Sequence, residues 1–347
     1  MMWRNLVLGL AMAVGACSDE PLFPLAEAQG IDADGLADAV ASAWKVGTVH
    51  SLLVERHGVL VAEAYFAGYT RDSPNPVWSV TKSFTSTLVG IAVDEARIRS
   101  LDEPIGPYLD SLVPDLPTEK RAITLRHLLT MSSGIAWTYE TGLATEYDDW
   151  MASPNQVRYY LGKPLEHTPG TYFLYSDAGA HLAGVVLQQA VGASSLAYAR
   201  THLFDPLGFA SATWDTDKQG YSLGAAGLRI RAVDMVKLGR LFLDGGLWGG
   251  RRILSEAWIA QATAPQISLD MPHRGSRTYG YFWWLYDCLG EPCYRASGYA
   301  GQLIVVVPHK DLVVVVTSDA ACDLAEADRR WSDAFRLIDE LVLPLVR

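Results

Sequence analysis

The sequence predicts a mixed α/β (α+β) chain: an antiparallel sheet flanked by helices, with a mainly helical insertion. Three observations lead there. An amphipathic helix and a hairpin open the folded part. Near the C-terminus the apolar period shortens into adjacent β-branched runs. Between them lies a long stretch that reads as one helix after another.

Taken in order, Ile31 to Lys45 is a helix with Leu36, Val40 and Trp44 on one stripe and Asp32 or Asp34 as its cap. Ser51 to Glu55 and Leu60 to Phe66 are strands turning about His57-Gly58. Ser83 to Ala96 is apolar on almost every side and reads as a buried helix. Leu101 to Pro117 carries four prolines and is mostly loop. Ile123 to Met131 is helical. Ile135 to Asp149 is a polar and aromatic loop. Asn155 to Leu161, Ala178 to Val191, Ser195 to Leu203, Ala232 to Leu243 and Ser255 to Ala262 are helical. Gly280 to Tyr286, Leu303 to Val307 and Leu312 to Thr317 read as strands. A last helix carries Trp331, Phe335, Ile338 and Val342 on one face. The N-terminal strand pair joins the C-terminal strands, so 31–99 and 226–347 form the sheet domain. Residues 100–225 form the insertion, and the junction between the two is a natural cleft.

The N-terminus reads as a targeting segment, residues 1–16. Arg4 supplies its positive charge, and Leu6 to Ala16 is too short to span a bilayer. Val14-Gly15-Ala16-Cys17 resembles a bacterial lipoprotein signal, which makes Cys17 the lipidated N-terminus and 17–30 a tether. The alternative is an ordinary signal peptide that contains Cys17. Export to the periplasm or cell envelope favours oxidised cysteines, and Cys288 and Cys293 flank a short Gly/Pro turn suited to a disulfide. Cys322 is left over. A net charge of −11 argues against nucleic-acid binding. No zinc spacing, Walker motif or dinucleotide motif occurs, so neither a metal nor an organic cofactor is expected.

The chemistry centres on Val77-Trp78-Ser79-Val80-Thr81-Lys82. Residues three apart share a helix face, so Ser79 and Lys82 point the same way from the first turn. Free N–H groups there favour negative charge, and a buried lysine is a candidate base for a serine hydroxyl. Ser42-Ala43-Trp44-Lys45 has the same spacing but lies late in a surface helix. Gly220-Tyr221-Ser222-Leu223-Gly224 matches a nucleophile elbow but lacks the strand that such a turn requires. Tyr175, just ahead of a helix, is placed to move protons if a lysine cation favours its phenolate. Ser297-Gly298-Tyr299 opens a strand where glycine permits close approach and a backbone N–H can donate. The histidines, His181 among them, form no recognisable ligand or triad set and read as structural or exposed. Trp137, Tyr139, Tyr147 and Trp150 suggest an aromatic wall, and Asp148 and Asp149 an attraction for amines.

The order S-x-x-K, then Tyr175-Ser176-Asp177, then Ser297-Gly298 resembles the serine β-lactamase and penicillin-binding-protein superfamily, in its class C-like branch of esterases, D-amino-acid peptidases and 6-aminohexanoate-dimer hydrolases. Ile123 to Thr130, Ala226-Gly227-Leu228 and Tyr279 to Trp284 look like the same family. The resemblance implies a β-lactamase-like fold and an acylated Ser79, with Lys82 and Tyr175 sharing the protons. It implies an oxyanion hole from the N–H groups of Ser79 and Tyr299, and substrate contacts at Asp177, Ser297, Gly298 and Trp137. Two positions depart from it. Asp177 stands where the family usually has Asn, and Ala296 where it has a cationic Lys or His. Arg295 is adjacent but faces the other side of a strand. The expected substrate is therefore a small uncharged ester or amide. The alternatives are a true β-lactamase or D,D-peptidase, or a catalytically silent binding protein.

Overall fold

The computed structural model describes residues 23–138 and 145–347. The expected targeting segment at 1–16, Cys17 and Tyr139 lie outside the described residues. The strands are β1 (Val49–Arg56), β2 (Val59–Tyr65), β3 (Pro74–Pro76), β4 (Thr213–Trp214), β5 (Leu228–Arg231), β6 (Leu247–Trp248), β7 (Arg251–Arg252), β8 (Ile267–His273), β9 (Ser276–Tyr279), β10 (Trp284–Cys288), β11 (Glu291–Gly298), β12 (Gln302–Val307) and β13 (Leu312–Ser318). Eight of them form one antiparallel sheet in the order β2-β1-β13-β12-β11-β10-β9-β8. The N-terminal hairpin and the C-terminal strands thus share a sheet, in the fold class the sequence predicts.

The middle strands show why the sheet needs two layers of helices. Every residue of β12 and β13 is buried, so neither face meets water. Successive side chains point to opposite faces. Leu303, Val305, Val307, Leu312, Val314 and Val316 pack with the helix Ala33–Val46 and the C-terminal segment around Trp331, Ile338 and Val342. Ile304, Val306, Val313 and Val315 pack with the helix Val80–Asp94 and the helix Ala232–Leu243. That second core runs on without a break into the helices of the 106–207 stretch, through Leu109, Leu125, Tyr160 and Val185. The small sheet β3-β5-β4 ties the two parts together next to Ser79.

Several elements differ from the sequence reading. Trp44 is 55% exposed rather than part of the buried stripe. The helix expected from Ser83 starts at Val80, because Ser79 itself occupies the N-cap. The strand expected from Gly280 starts at Trp284. Gly280 to Trp283 is instead a tight turn, with Gly280 N–H donating to the Trp283 carbonyl and Phe282 at φ 61°. The edge strand β8 and its neighbour β9 carry no sequence signal, because most of β8 faces solvent and has no apolar run. Thr145–Ala152 is helical within the expected loop. A disulfide joins Cys288 to Cys293 at the mouth of the β10–β11 hairpin.

Gly90 brings the Ser79 helix against Trp258: a Cβ there would lie 2.6 Å from three ring atoms. Gly90→Ala gains about 1 kcal/mol of helix propensity but overpacks the core, at a cost of about 1–3 kcal/mol. The expected result is a lower thermal midpoint by circular dichroism. An unchanged or raised midpoint would show that the indole can move aside.

Candidate active site

The site begins with a strained turn. β3 pairs with β5, and Val77 N–H donates to the Leu228 carbonyl, which fixes the chain just before Ser79. Trp78 then adopts φ 49°, a left-handed conformation that costs a bulky residue on the order of 1–3 kcal/mol. Its ring lies 5.0 Å from that of Tyr299. Val80 and Thr81 N–H donate back to the carbonyls of Val77 and Trp78, and Ser79 follows at the N-cap. Three polar side chains of the helix are tied to neighbouring backbone. Ser83 Oγ donates to the Phe282 carbonyl (2.7 Å), Thr85 Oγ1 to the Gly224 carbonyl (2.9 Å), and Thr81 Oγ1 accepts from Leu228 N–H (3.4 Å).

Lys82, one turn on, is 1% exposed. Its Nζ donates to Ser79 Oγ at 2.7 Å, to Asp177 Oδ1 at 2.7 Å and to the Ala225 carbonyl at 3.0 Å. An ammonium has three N–H bonds, and all three are spent. Asp177 starts the helix Asp177–Val191, whose N-cap Ser176 accepts from Gly179 N–H. Ala225 sits on a loop held by a polar network. Gly224 N–H donates to His181 Nδ1 (3.3 Å), so the ring's hydrogen is on Nε2, which donates to Asp217 Oδ2 (3.0 Å). Gln188 clamps both the N–H and the carbonyl of Ser222. Ser222 is thus a buried loop residue with no strand before it.

Tyr175 is half-buried, its ring 4.9 Å from Lys82 Nζ, and it shares a hydrogen bond with Ser79. Burial pushes its phenol well above the ordinary value, and the Asp177 carboxylate pushes the same way, opposed by the bond to Ser79. The expectation that a lysine cation favours the phenolate fails, because burial disfavours the phenolate and the Asp177 carboxylate bonded to Lys82 adds to that. Trp284 stacks on Tyr175 at 5.7 Å and on His273 at 4.6 Å, while Phe173 and Tyr279 meet Trp284 edge-on. These rings form the aromatic wall beside Tyr175. Of the four rings expected to form such a wall, Tyr139 lies outside the described residues, Tyr147 is half-buried beside Lys82 and Asp177, and Trp137 and Trp150 are buried. Trp137 is buried in the core, edge-on to Trp150 and Tyr160.

The end of β11 closes the opposite side. A Cβ on Gly298 would lie 2.5 Å from the Val77 carbonyl oxygen and 3.3 Å from Ser79 N. Only glycine allows this approach, which sets the end of β11 directly against the Ser79 turn. Ser297 faces the other way: its Oγ accepts from Trp331 Nε1 at 2.8 Å, so its side chain is spent on the C-terminal helix and not on the cleft. Arg295 shares that face. It is fully buried over the rings of Tyr286, Phe335 and Trp331 and donates to the Arg274 carbonyl. Asp177, expected among the substrate contacts, is turned onto Lys82. Ala225, Phe173 and Trp284 carry no expected site role, and His181, expected to be structural or exposed, is structural: it is buried and bonded to Asp217 and to Gly224 N–H. No spacing in the sequence links His181 to Asp217 or Trp284 to Tyr175.

A serine bonded to a buried lysine at a helix N-terminus, against an antiparallel sheet, defines a serine hydrolase of the S-x-x-K class. The chain belongs to the Beta-lactamase family, whose model matches residues 36–335. It is 26% identical over 289 residues to the 6-aminohexanoate-dimer hydrolase of Paenarthrobacter ureafaciens, which covers 77% of this chain and 72% of that protein. The lovastatin esterase of Penicillium rubens is 32% identical over 177 residues, or 45% of this chain and 42% of the esterase, so less than half of that relative is spanned. Two solved structures share the fold. The octameric penicillin-binding protein homologue from Pyrococcus abyssi has a TM-score of 0.69 at 22% identity, covering 90% of this chain and 78% of that one. EstCE1, a hydrolase with promiscuous acyltransferase activity, has a TM-score of 0.71 at 18% identity, covering 87% and 98%.

Gly298→Ala should push the end of β11 off the Ser79 turn. Misplacing a reacting geometry by about 1 Å can cost on the order of a hundredfold in rate. The expected outcome is a loss of that order in kcat on an activated ester, with the native circular-dichroism spectrum retained. Wild-type kcat in this variant would detach the strand end from the reaction.

Proposed function

We propose that this protein is an exported serine hydrolase that cleaves small uncharged esters or amides through an acyl-enzyme on Ser79. The observation that carries the reading is the 2.7 Å bond between Lys82 Nζ and Ser79 Oγ at the start of a helix. Ser79 Oγ attacks the substrate carbonyl. Its proton passes to Lys82, with Tyr175 bonded to the same hydroxyl and placed to hand a proton to the leaving group. The amides of Ser79 and Tyr299 hold the oxyanion. Water then attacks the acyl-enzyme by the same route in reverse. The leader at 1–16 and the small residues before Cys17 support export and anchoring through an acylated Cys17.

The substrate class follows from charge. Ala296 offers no cation, Arg295 is locked on the far face of β11, and Lys82 is already matched by Asp177. A carboxylate in this cleft lacks a partner, and a lost charge-assisted hydrogen bond is worth about 1.5–3 kcal/mol, or roughly one to two powers of ten in rate. The rings of Phe173, Tyr175, Tyr279 and Trp284 suit an apolar acyl or leaving group. The names of the relatives, a dimer hydrolase and an esterase, agree with this class.

A fluorophosphonate should add one adduct, on Ser79, by intact mass and peptide mapping. Ser79→Ala should abolish labelling and turnover, while Ser222→Ala and Ser42→Ala leave both intact. An adduct that survives Ser79→Ala would move the nucleophile elsewhere. In a second comparison, kcat/KM for p-nitrophenyl butyrate should exceed that for nitrocefin by at least about tenfold, since nitrocefin carries the carboxylate that finds no partner. Efficient nitrocefin turnover would instead establish a β-lactamase.

A further inference from the structure

We propose that Asp177 is the proton-holding partner of Lys82, so that Ser79, Lys82 and Asp177 work as one relay. The inference rests on the reading of Ser79 as nucleophile and adds the source of the base. As the site stands, Lys82 donates all three N–H bonds, one of them to Ser79 Oγ, so it has no lone pair with which to take the serine proton. Something must first remove a proton from Nζ. Asp177 Oδ1, 2.7 Å away and 95 residues distant in sequence, is the one carboxylate bonded to it among the described residues.

The titratable groups facing this pair are phenols. Tyr175 comes from the segment before the Asp177 helix, Tyr147 from the helix Thr145–Ala152 and Tyr279 from β9. Burial raises all three, and the carboxylate of Asp177 raises each further. All three are neutral at working pH, and none supplies a phenolate base. Against them stands one ion pair, Lys82 with Asp177, in a site sealed by the Ala225 carbonyl. Moving a proton from Nζ to Oδ1 exchanges two buried charges for none. That exchange is accessible where desolvation offsets most of the Coulomb gain. The usual family residue here, asparagine, has no site for that proton.

The relay balances. The Nζ–H bond breaks and the proton moves to Oδ1, leaving a neutral amine. The amine lone pair takes the Ser79 hydroxyl proton as the Oγ–C bond forms and the carbonyl π pair moves onto oxygen. On collapse Tyr175 gives its hydroxyl proton to the leaving group as the bond to carbon breaks, and takes a proton from Nζ in its place. The proton held on Asp177 then returns to Lys82, which restores the ion pair. Water enters deacylation in the place of the serine hydroxyl.

The test is the pH profile of kcat/KM on p-nitrophenyl butyrate for the wild type and Asp177→Asn. In the wild type Asp177 takes the Nζ proton within the site, so freeing the lysine lone pair does not draw on bulk pH. In Asp177→Asn the lysine must lose its proton to bulk water before each turnover. The acid limb then moves to higher pH by more than about one unit, with about a hundredfold loss near pH 6 and recovery near pH 9. Asp177→Glu keeps a carboxylate and should keep the wild-type limb. Asp177→Ser also lacks one and carries the same expectation as Asp177→Asn should that variant not fold. A uniform loss at every pH, or an unmoved limb, would reduce Asp177 to packing and overturn the relay. Turnover remaining in Ser79→Ala would instead overturn the nucleophile, and the two failures are distinct.

Discussion

The interaction on which the site depends is the burial of one ammonium group. Taking a lysine cation out of water costs several kcal/mol unless every N–H finds an acceptor and a counter-charge stands by. Lys82 obtains this from three separate parts of the chain: Ser79 on its own helix, Asp177 at the start of another, and the Ala225 carbonyl on a loop. Of the three, only Ser79 is near Lys82 in sequence. The loop would not hold its carbonyl there without the His181–Asp217 pair and the Gln188 clamp behind it. Asp177 would not reach without the helix that Ser176 caps. A good part of the insertion thus serves to complete the coordination of one nitrogen.

The same demand explains the glycines and the strain around the cleft. Gly224 lies where a Cβ would meet the Ala180 carbonyl oxygen at 2.6 Å, and Gly298 where one would meet that of Val77 at 2.5 Å. Both let backbone approach backbone on either flank of the Ser79 helix. Trp78 adopts a left-handed conformation that only surrounding pairing can enforce. Here that pairing is β3 with β5 before the turn and the helix after it.

The sheet, the long helices and the Ser79–Lys82 face were legible because each rests on local pattern. β12 and β13 are dense in valine, the helix Ala232–Leu243 has a clean apolar period, and three-residue spacing places Ser79 beside Lys82 whatever surrounds them. What stayed hidden depends on contacts across the chain. The aromatic ring that stacks on Tyr175 comes from β10, a strand whose start was misplaced because Gly280 to Trp283, though rich in aromatics, is a turn. Trp137, expected in an aromatic wall of the cleft, is enclosed by Trp150 and Tyr160. Tyr175 was given a cationic neighbour without the anion that neutralises it, since one residue's field is legible from sequence only when all its neighbours are known.

β11 divides its labour by face, and this separates chemistry from scaffold at single-residue spacing. Ala296 and Gly298 look toward the Ser79 helix, and neither brings a charge. Arg295 and Ser297 look toward the C-terminal helix. There Trp331 bonds to Ser297, and its ring meets the guanidinium groups of both Arg295 and Arg274. The strand therefore carries its cation on the wrong side for a substrate and on the right side for packing. A guanidinium enclosed by Tyr286, Phe335 and Trp331 holds the terminal helix through ring faces, and burial lowers its pKa to about 10. Recruiting that charge to the cleft would require a one-residue slip of β11. Such a slip would reverse every side chain on the strand and break its register with β10 and β12. The neutral character of the cleft is thus fixed by the sheet itself, and not only by the alanine at 296.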